Sequence, residues 1–320
     1  ASGGKSAYTY SVASGTLPTG MALDPSTGSI SMFPSAIGTF TFTLKVTDAN
    51  GATATTGTIT YTVGKIQTTL GAMPDISKNF GDGTFVITNP TRSTAQSGTW
   101  YISSSNTAVA TVQYSTNLNA TVVGVGTTTI SIYFVASDTI NYATSSTTTF
   151  TLTVNKSNQA TLSVSTSSGA YGTNLTLSTS GGSGTGSVSY SVDSGPCTIS
   201  GTTLSSTGAG TCYVTATKDG DTTYNSATSA SKSISIGARP ISLKANDVSV
   251  NYTGSSVSPT IGYTITSGSL VGTDAINTAT ISYRGFSVTY TASTTAPTNV
   301  GTYYMTPSAM TFSSGSSSNY

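Results

Sequence analysis

Two stretches, Gly124–Val154 (GVGTTTISIYFVASDTINYATSSTTTFTLTV) and Gly208–Ile236 (GAGTCYVTATKDGDTTYNSATSASKSISI), are one pattern written twice. Each opens on Gly-x-Gly-Thr and runs into an alternating strand. Each then passes an Asp-led loop carrying Tyr and a Ser/Thr run, and closes on a second alternating strand. A chain that repeats a unit in this way is an array of small domains, not one large fold. Length alone suggests about two domains for 320 residues, but the repeat divides them into four.

Alternation sets the class. Thr39–Thr47 (TFTFTLKVT) places Phe40, Phe42, Leu44 and Val46 on one face of a strand, and Tyr8–Val12 and Thr58–Val63 (TITYTV) repeat the pattern. Turn signals separate these strands: Leu17-Pro18-Thr19-Gly20, Asp24-Pro25-Ser26-Thr27-Gly28, and Asp48-Ala49-Asn50-Gly51, whose Asn-Gly supplies the positive φ of a tight hairpin. Short strands with a turn every eight to twelve residues predict an all-β chain of β-sandwiches. Gly/Ser bias and low charge also mark disordered tracts. Here, however, 36% of residues are hydrophobic and keep a strict period of two, which disorder does not need.

Charge excludes several functions. Only 7% of residues are charged, against about 25% in ordinary domains. There is no His or Glu, so every acidic residue is Asp, and the net charge is +1. Basic residues are scattered singly from Lys5 to Arg284, without the clusters that displace counterions from a phosphate backbone, so nucleic acid is not an expected partner. No apolar run approaches the ~20 residues that span a bilayer, so no direct membrane insertion is expected in this segment. Acid–base chemistry would rest on lone Asp residues, and hydroxyl nucleophiles would lack a base, so no catalytic residues and no cofactor are assigned. Asp219-Gly220-Asp221 and Asp48 have the look of Ca²⁺ ligands. Calcium requires six to eight oxygens, and these acids stand nearly alone, so no metal site is assigned. Sequons at Asn119, Asn155, Asn174 and Asn251 carry no information in a chain so rich in Ser and Thr.

Residues 1–64 resemble the immunoglobulin-like repeats of large bacterial surface proteins. The match rests on Ser2-Gly3-Gly4, Tyr8 to Gly15, Leu17-Pro18, Gly20, Thr27-Gly28, Ile30, Pro34, Gly38, Phe40 and Asp48. One departure stands at Met32-Phe33, where that family has a Gly-Thr turn. Residues 65–155 resemble a second bacterial Ig-like type, through Phe80-Gly81-Asp82, a strand over Ser104–Val112, and the Gly-x-Gly-Thr hairpin. Trp100, the single tryptophan, is expected to fill the sandwich core; the alternative is a platform for stacking a ligand. Residues 156–237 resemble a related repeat, in which Ser180–Val192 leads to Cys197 and Cys212. Two cysteines in one repeat and none elsewhere argue for a disulfide, worth about 3 kcal/mol for a loop of this length, and for an oxidising, extracytoplasmic setting. There is neither His nor a second Cys pair to complete a zinc tetrahedron. Residues 238–320 resemble the MBG-type repeats of bacterial adhesins, through Ile241-Ser242-Leu243, Val248–Tyr252, Ser269–Asp274 and Val300–Tyr304. Such repeats are frequently spacers, so mucus binding does not follow.

These resemblances imply tandem Ig-like sandwiches joined by short linkers, Val63-Gly64-Lys65, Val154-Asn155-Lys156 and Ile236–Arg239. Laid end to end they would form a rod on the order of 120–160 Å. Ser2-Gly3-Gly4 matches Ser180-Gly181-Gly182, which lies well inside its repeat, and Asn319-Tyr320 matches the Asn/Tyr pair before a closing strand. The chain is therefore expected to be an excerpt of a longer array. The implied function is a non-catalytic extracellular stalk or adhesive fibre at the cell surface. Its partners would be neighbouring repeats, laterally packed copies, or surface glycans and other polymers. Two alternatives are a self-assembling surface layer, sheath or filament, and a carbohydrate-binding module of a secreted enzyme. The last would need exposed aromatics; adjacent Tyr303 and Tyr304 must face opposite ways, so one should point outward.

Overall fold

The computed structural model describes residues 1–320. It contains 27 strands, one short 3-10 turn at Ser317–Asn319 and no α-helix. Two compact units emerge, Ala1–Lys156 and Ser157–Tyr320.

The first unit opens with β1 (Thr9–Gly15), β2 (Ala22–Leu23), β3 (Ile30–Ser31), β4 (Gly38–Thr47), β5 (Thr53–Thr55) and β6 (Ile59–Val63). β4 is the central strand, antiparallel to β1, β5 and β6, and its alternation buries Phe42. The Asn-Gly turn closes the β4–β5 hairpin: Gly51 has φ 85°, and its N–H donates to the Asp48 carbonyl at 3.0 Å. After β3, Met32 sits at φ 77°, with its side chain and that of Phe33 in solvent. Glycine would hold this backbone without the clash of a Cβ against the carbonyl.

The same unit continues with β7 (Ile76–Asn79), β8 (Thr84–Ile87), β9 (Gly98–Ser104), β10 (Ala110–Tyr114), β11 (Leu118–Val122), β12 (Gly126–Ala136) and β13 (Thr148–Asn155). Sheets β10-β11-β8 and β7-β13-β12-β9 face each other across one core, as in a β-sandwich. Every second residue of β12 from Thr128 to Ala136 is buried, as are Phe150, Leu152 and Val154 of β13, while the intervening Thr residues face outward. Trp100 is a core residue, edge-on to Phe134 at 5.0 Å, with the Arg92 guanidinium 4.1 Å from the Phe134 ring centre. The expected strand over Ser104–Val112 is broken. β9 ends at Ser104, and a turn in which the Val109 N–H donates to the Asn106 carbonyl precedes β10. Asn106 competes for the backbone here, its side-chain carbonyl accepting the Ala108 N–H at 3.1 Å.

The second unit begins with β14 (Ser163–Val164), β15 (Gly169–Ala170), β16 (Leu175–Thr176), β17 (Thr179–Ser180), β18 (Val188–Ser194), β19 (Cys197–Ser200), β20 (Thr203–Ser206), β21 (Gly210–Lys218), β22 (Ala227–Thr228) and β23 (Lys232–Gly237). Sheet β15-β23-β21-β18 faces β16-β20-β19. Cys197 of β19 is disulfide-bonded to Cys212 of β21 across this core, with Cα atoms 6.1 Å apart. At the matching position Thr128 makes a polar tie instead. Its hydroxyl lies 2.8 Å from that of Ser104 and accepts the Asn106 N–H. The unit ends with β24 (Ser242–Ala245), β25 (Tyr263–Ser267), β26 (Ala275–Gly285) and β27 (Tyr303–Ser314), paired as β24-β25 and β26-β27.

Truncating Phe134→Ala empties the middle of the core around Trp100 and should cost about 3–5 kcal/mol. The cost is read as a lower denaturant midpoint of the Trp100 fluorescence transition. Met32→Gly should raise the stability of the β1–β6 region by about 1 kcal/mol, measured by amide exchange of β4.

Candidate functional site

A short Asp- or Ser-led loop ending in Tyr recurs three times, and its backbone makes the same contact each time. The carbonyl before the Tyr receives the N–H of a residue at the start of that repeat: Asn141 from Ile66 at 2.8 Å, Thr223 from Ser157 at 3.0 Å, and Asn319 from Arg239 at 2.8 Å. In the first two cases the bond belongs to a parallel bridge, Ile66 with Tyr142 and Ser157 with Tyr224. The loops are pre-shaped by their leading side chains. Asp138 accepts the N–H groups of Ile140 and Asn141, Asp221 those of Thr223 and Tyr224, and Ser316 that of Ser318. The carboxyls of Asp138 and Asp221 are accordingly held below the usual carboxylate range, chiefly by backbone donors from Asn141 and from Thr185. Each of these three starts is thus fastened to its own repeat.

The third clasp leads into a polar knot inside the second unit. Tyr171, directly after β15, and Tyr320 both donate phenol hydrogens to Asp274 Oδ2, at 3.0 and 2.7 Å. Tyr320 accepts the Val271 N–H at 2.7 Å, and buried Asn319 accepts the Ala209 N–H at 2.9 Å through its side chain. The Tyr171 and Tyr320 rings meet edge to face at 5.7 Å, and Tyr320 stacks on Phe312 at 5.2 Å. Gly172, at φ 78°, brings its Cα against Val271; an added Cβ would fall 2.4 Å from Val271 Cγ2. Burial first, and the Asp274 carboxylate second, push the Tyr171 phenol up and the Tyr320 phenol up to about 12.

Of the carboxylates considered for calcium, Asp48 and Asp221 serve as turn caps. Asp48 accepts the N–H groups of Asn50, Ala52 and Lys5, the last being the main cause of its lowered pKa. Asp219 accepts the Ser187 hydroxyl, and Asp221 accepts the Thr185 N–H besides those in its own loop. No group of three His, Cys, Asp or Glu side chains is placed to hold a metal ion. No helix is long and apolar enough to cross a membrane. Of the adjacent tyrosines, Tyr304 faces outward, 46% exposed, with Arg284 5.2 Å from its ring centre and Phe286 edge-on to it. Tyr303 points inward and donates to the Asn299 carbonyl. Tyr101 and Tyr133 stack in parallel at 4.8 Å.

Sequence reasoning did not find Tyr171 as a member of a knot. Its partner Asp274 lies 103 residues away, and the one signal, an aromatic recurring at Phe80, Tyr171 and Tyr252, does not name a partner.

A family model described as "Putative Ig domain" matches residues 1–64. No curated protein matches the chain. Among solved structures, Drosophila N-cadherin EC1-4 is similar at 11% identity and a TM-score of 0.32, over 72% of this chain and 66% of that one. Surface layer protein SbsC, domains 1-6, is similar at 19% and 0.24, over 65% of this chain and 29% of that one. A SusE-like surface located polysaccharide binding protein from Bacteroides thetaiotaomicron is similar at 10% and 0.21, over 89% and 78%. The chain spans less than two thirds of the N-cadherin chain and less than a third of the SbsC chain. Likenesses this distant say nothing of its partners or activity.

The phenols of Tyr171 and Tyr320 must stay protonated to donate, and the unfolded chain ionises them more readily. Stability of the second unit is therefore intact below about pH 10 and falls as pH rises towards 12. At the acid end, Asp24, lowered to about 2 chiefly by the Ser26 hydroxyl, and Asp48, Asp138, Asp193 and Asp221 are all lowered. Their contribution is present above about pH 4 and is lost as pH falls towards 2. With no His or Glu to titrate between, the melting temperature should be flat from about pH 5 to about pH 9. Tyr320→Phe, which strands the Val271 N–H, should cost about 1–3 kcal/mol and shrink the alkaline loss.

Proposed function

We propose that the chain is a non-catalytic, tension-bearing stretch of Ig-like sandwiches, 1–64, 65–155, 156–237 and 238–320, serving as a stalk in a secreted cell-surface protein. The observation that carries this reading is the pairing of an N-terminal strand with the last strand in the second and third repeats. β7 lies parallel to β13, and β15 lies parallel to β23. In a parallel pair the start of one strand and the end of the other lie at opposite ends of the ladder. Tension entering through the first strand and leaving through the last therefore loads every ladder hydrogen bond in shear at once. An antiparallel first–last pair would instead unzip, its bonds breaking in succession. The clasps at Ile66 and Ser157 add a further bond to the same parallel arrangement. A disulfide across the third core is consistent with an oxidising setting.

Thr-rich outer strand faces suit a solvent-facing spacer. Drawn from its two ends in a force spectrometer, the chain should show discrete unfolding events. Proline placed in turn at Ser77 and at Lys78 removes a β7 N–H that faces β13 in one of the two variants. That variant should lower the peak force of one event and leave the rest unchanged; equal forces in all three proteins would contradict the reading. Sedimentation at rising concentration should show a monomer, whereas ordered filaments would place the function in lateral association.

A further inference from the structure

The outer face of the second repeat departs from its neighbours at one spot. Gly38-Thr39, Gly126-Thr127 and Gly210-Thr211 open the central strands β4, β12 and β21. Counted from those glycines, Tyr133 of β12 stands where β4 has Lys45 and β21 has Thr217. The residues facing these three across the ladder are Tyr101, Ser11 and Ser189. Two repeats therefore set a Ser opposite Lys or Thr at this place, and the second sets two tyrosines. The core does not need them, since Trp100, Ile132 and Phe134 fill it from the inner faces of the same strands.

Tyr101 is 44% exposed and Tyr133 half-buried. Their rings are parallel to within 3°, with centres 4.8 Å apart, so each covers one face of the other. β9 is the last strand of its sheet, in the order β7-β13-β12-β9, so no further strand stands against the second face of Tyr101. Neither phenol hydroxyl is hydrogen-bonded within the chain. The cross-strand pairs on either side are Ser103 with Ser131 and Thr99 with Val135. β9, β12 and β13 carry no Lys, Arg or Asp at any position. An aromatic pair with one open ring face thus stands in an uncharged field of hydroxyls.

We infer that this pair is the stacking platform of a binding site for a neutral glycan of β-linked pyranoses, with Tyr101 presenting the open ring face and Tyr133 holding it upright. A pyranose whose substituents are equatorial has a flat face of axial C–H groups, weakly positive, and the face of an aromatic ring is negative. The two free phenols and the flanking Ser and Thr hydroxyls each donate and accept, as sugar hydroxyls do. The absence of charge sets the class of sugar. A uronate carboxylate would lose water here with no cation to receive it. Nor does the patch suit a protein partner, which needs an apolar centre within about 800 Å² a side. The stalk function neither requires this site nor fails with it.

The probes are three β-1,4-linked hexasaccharides, cellohexaose, xylohexaose and mannohexaose, titrated into the intact chain by calorimetry. At least one should bind with a millimolar or lower Kd. Tyr101→Ala should weaken that binding at least about tenfold, whereas Tyr101→Phe, which keeps the ring, should retain most of it. Tyr213→Ala is the control: Tyr213 on β21 is also 44% exposed, but no ring stacks on it, and its loss should change nothing. A cooperative Trp100 fluorescence transition on denaturation shows that each variant is folded. Absence of binding for all three sugars at about 10 mM would overturn the inference. So would equal binding by Tyr101→Ala, an equal loss in Tyr101→Phe, or equally tight binding of hexagalacturonate. Retention on phosphatidylcholine vesicles that depends on Tyr101, without binding of any hexasaccharide, would assign the rings to a membrane surface instead.

Discussion

In the second and third repeats the closing strand is the element on which the sandwich depends, because it satisfies backbone groups on both of its edges. β13 ties β12 to β7, and β23 ties β21 to β15. Buried backbone groups left without partners are costly, so β7 and β15 are held beside closing strands that take their hydrogen bonds. The contrast within the chain supports this. DISKNF forms β7 beside β13, while its counterpart DVSVNY, with no closing strand beside it, is not in a ladder. Local sequence is nearly the same in the two places, so the difference comes from tertiary pairing.

A second constraint is the scarcity of charge. With Asp as the only acid, carboxylates cannot be spent on surface networks, and they cap turns instead. Asp24, Asp48, Asp138 and Asp221 each gather two or more donors within a few residues or across a hairpin. Hydroxyls do elsewhere what charges do in other proteins. Ser145 and Ser229 are buried beside the central strands and accept the N–H groups of Phe134 and Ala216, filling gaps in the ladder. The disulfide and the Thr128 hydroxyl occupy matching positions and fasten the central strand to its neighbourhood by different chemistry.

Much of this was legible in the chain itself. Period two gave the strands, Asn50-Gly51 the hairpin, and the repeat of Gly124–Val154 in Gly208–Ile236 the central and closing strands. Trp100 read correctly as core because its neighbours alternate, and Tyr303 and Tyr304 read correctly as opposed. The run Ser104–Val112 was misleading, since β-forming residues flank an Asn that prefers to cap a turn. The knot of Tyr171, Asp274 and Tyr320 was illegible because its members are brought together only by the packing of the third repeat against the fourth. Nor could sequence show that Val248–Tyr252, a good strand by composition, lies outside any sheet.

The central claim, that closing strands hold β7 and β15 in place, is tested most directly by amide hydrogen exchange on the intact chain at neutral pH. The account predicts slow exchange for the ladder amides of Ile76–Phe80 and for Tyr171, with exchange close to that of an unstructured peptide for Val248–Tyr252. Comparable protection in Val248–Tyr252 and Ile76–Phe80 would contradict it, because such a segment would then hold its place without a closing partner.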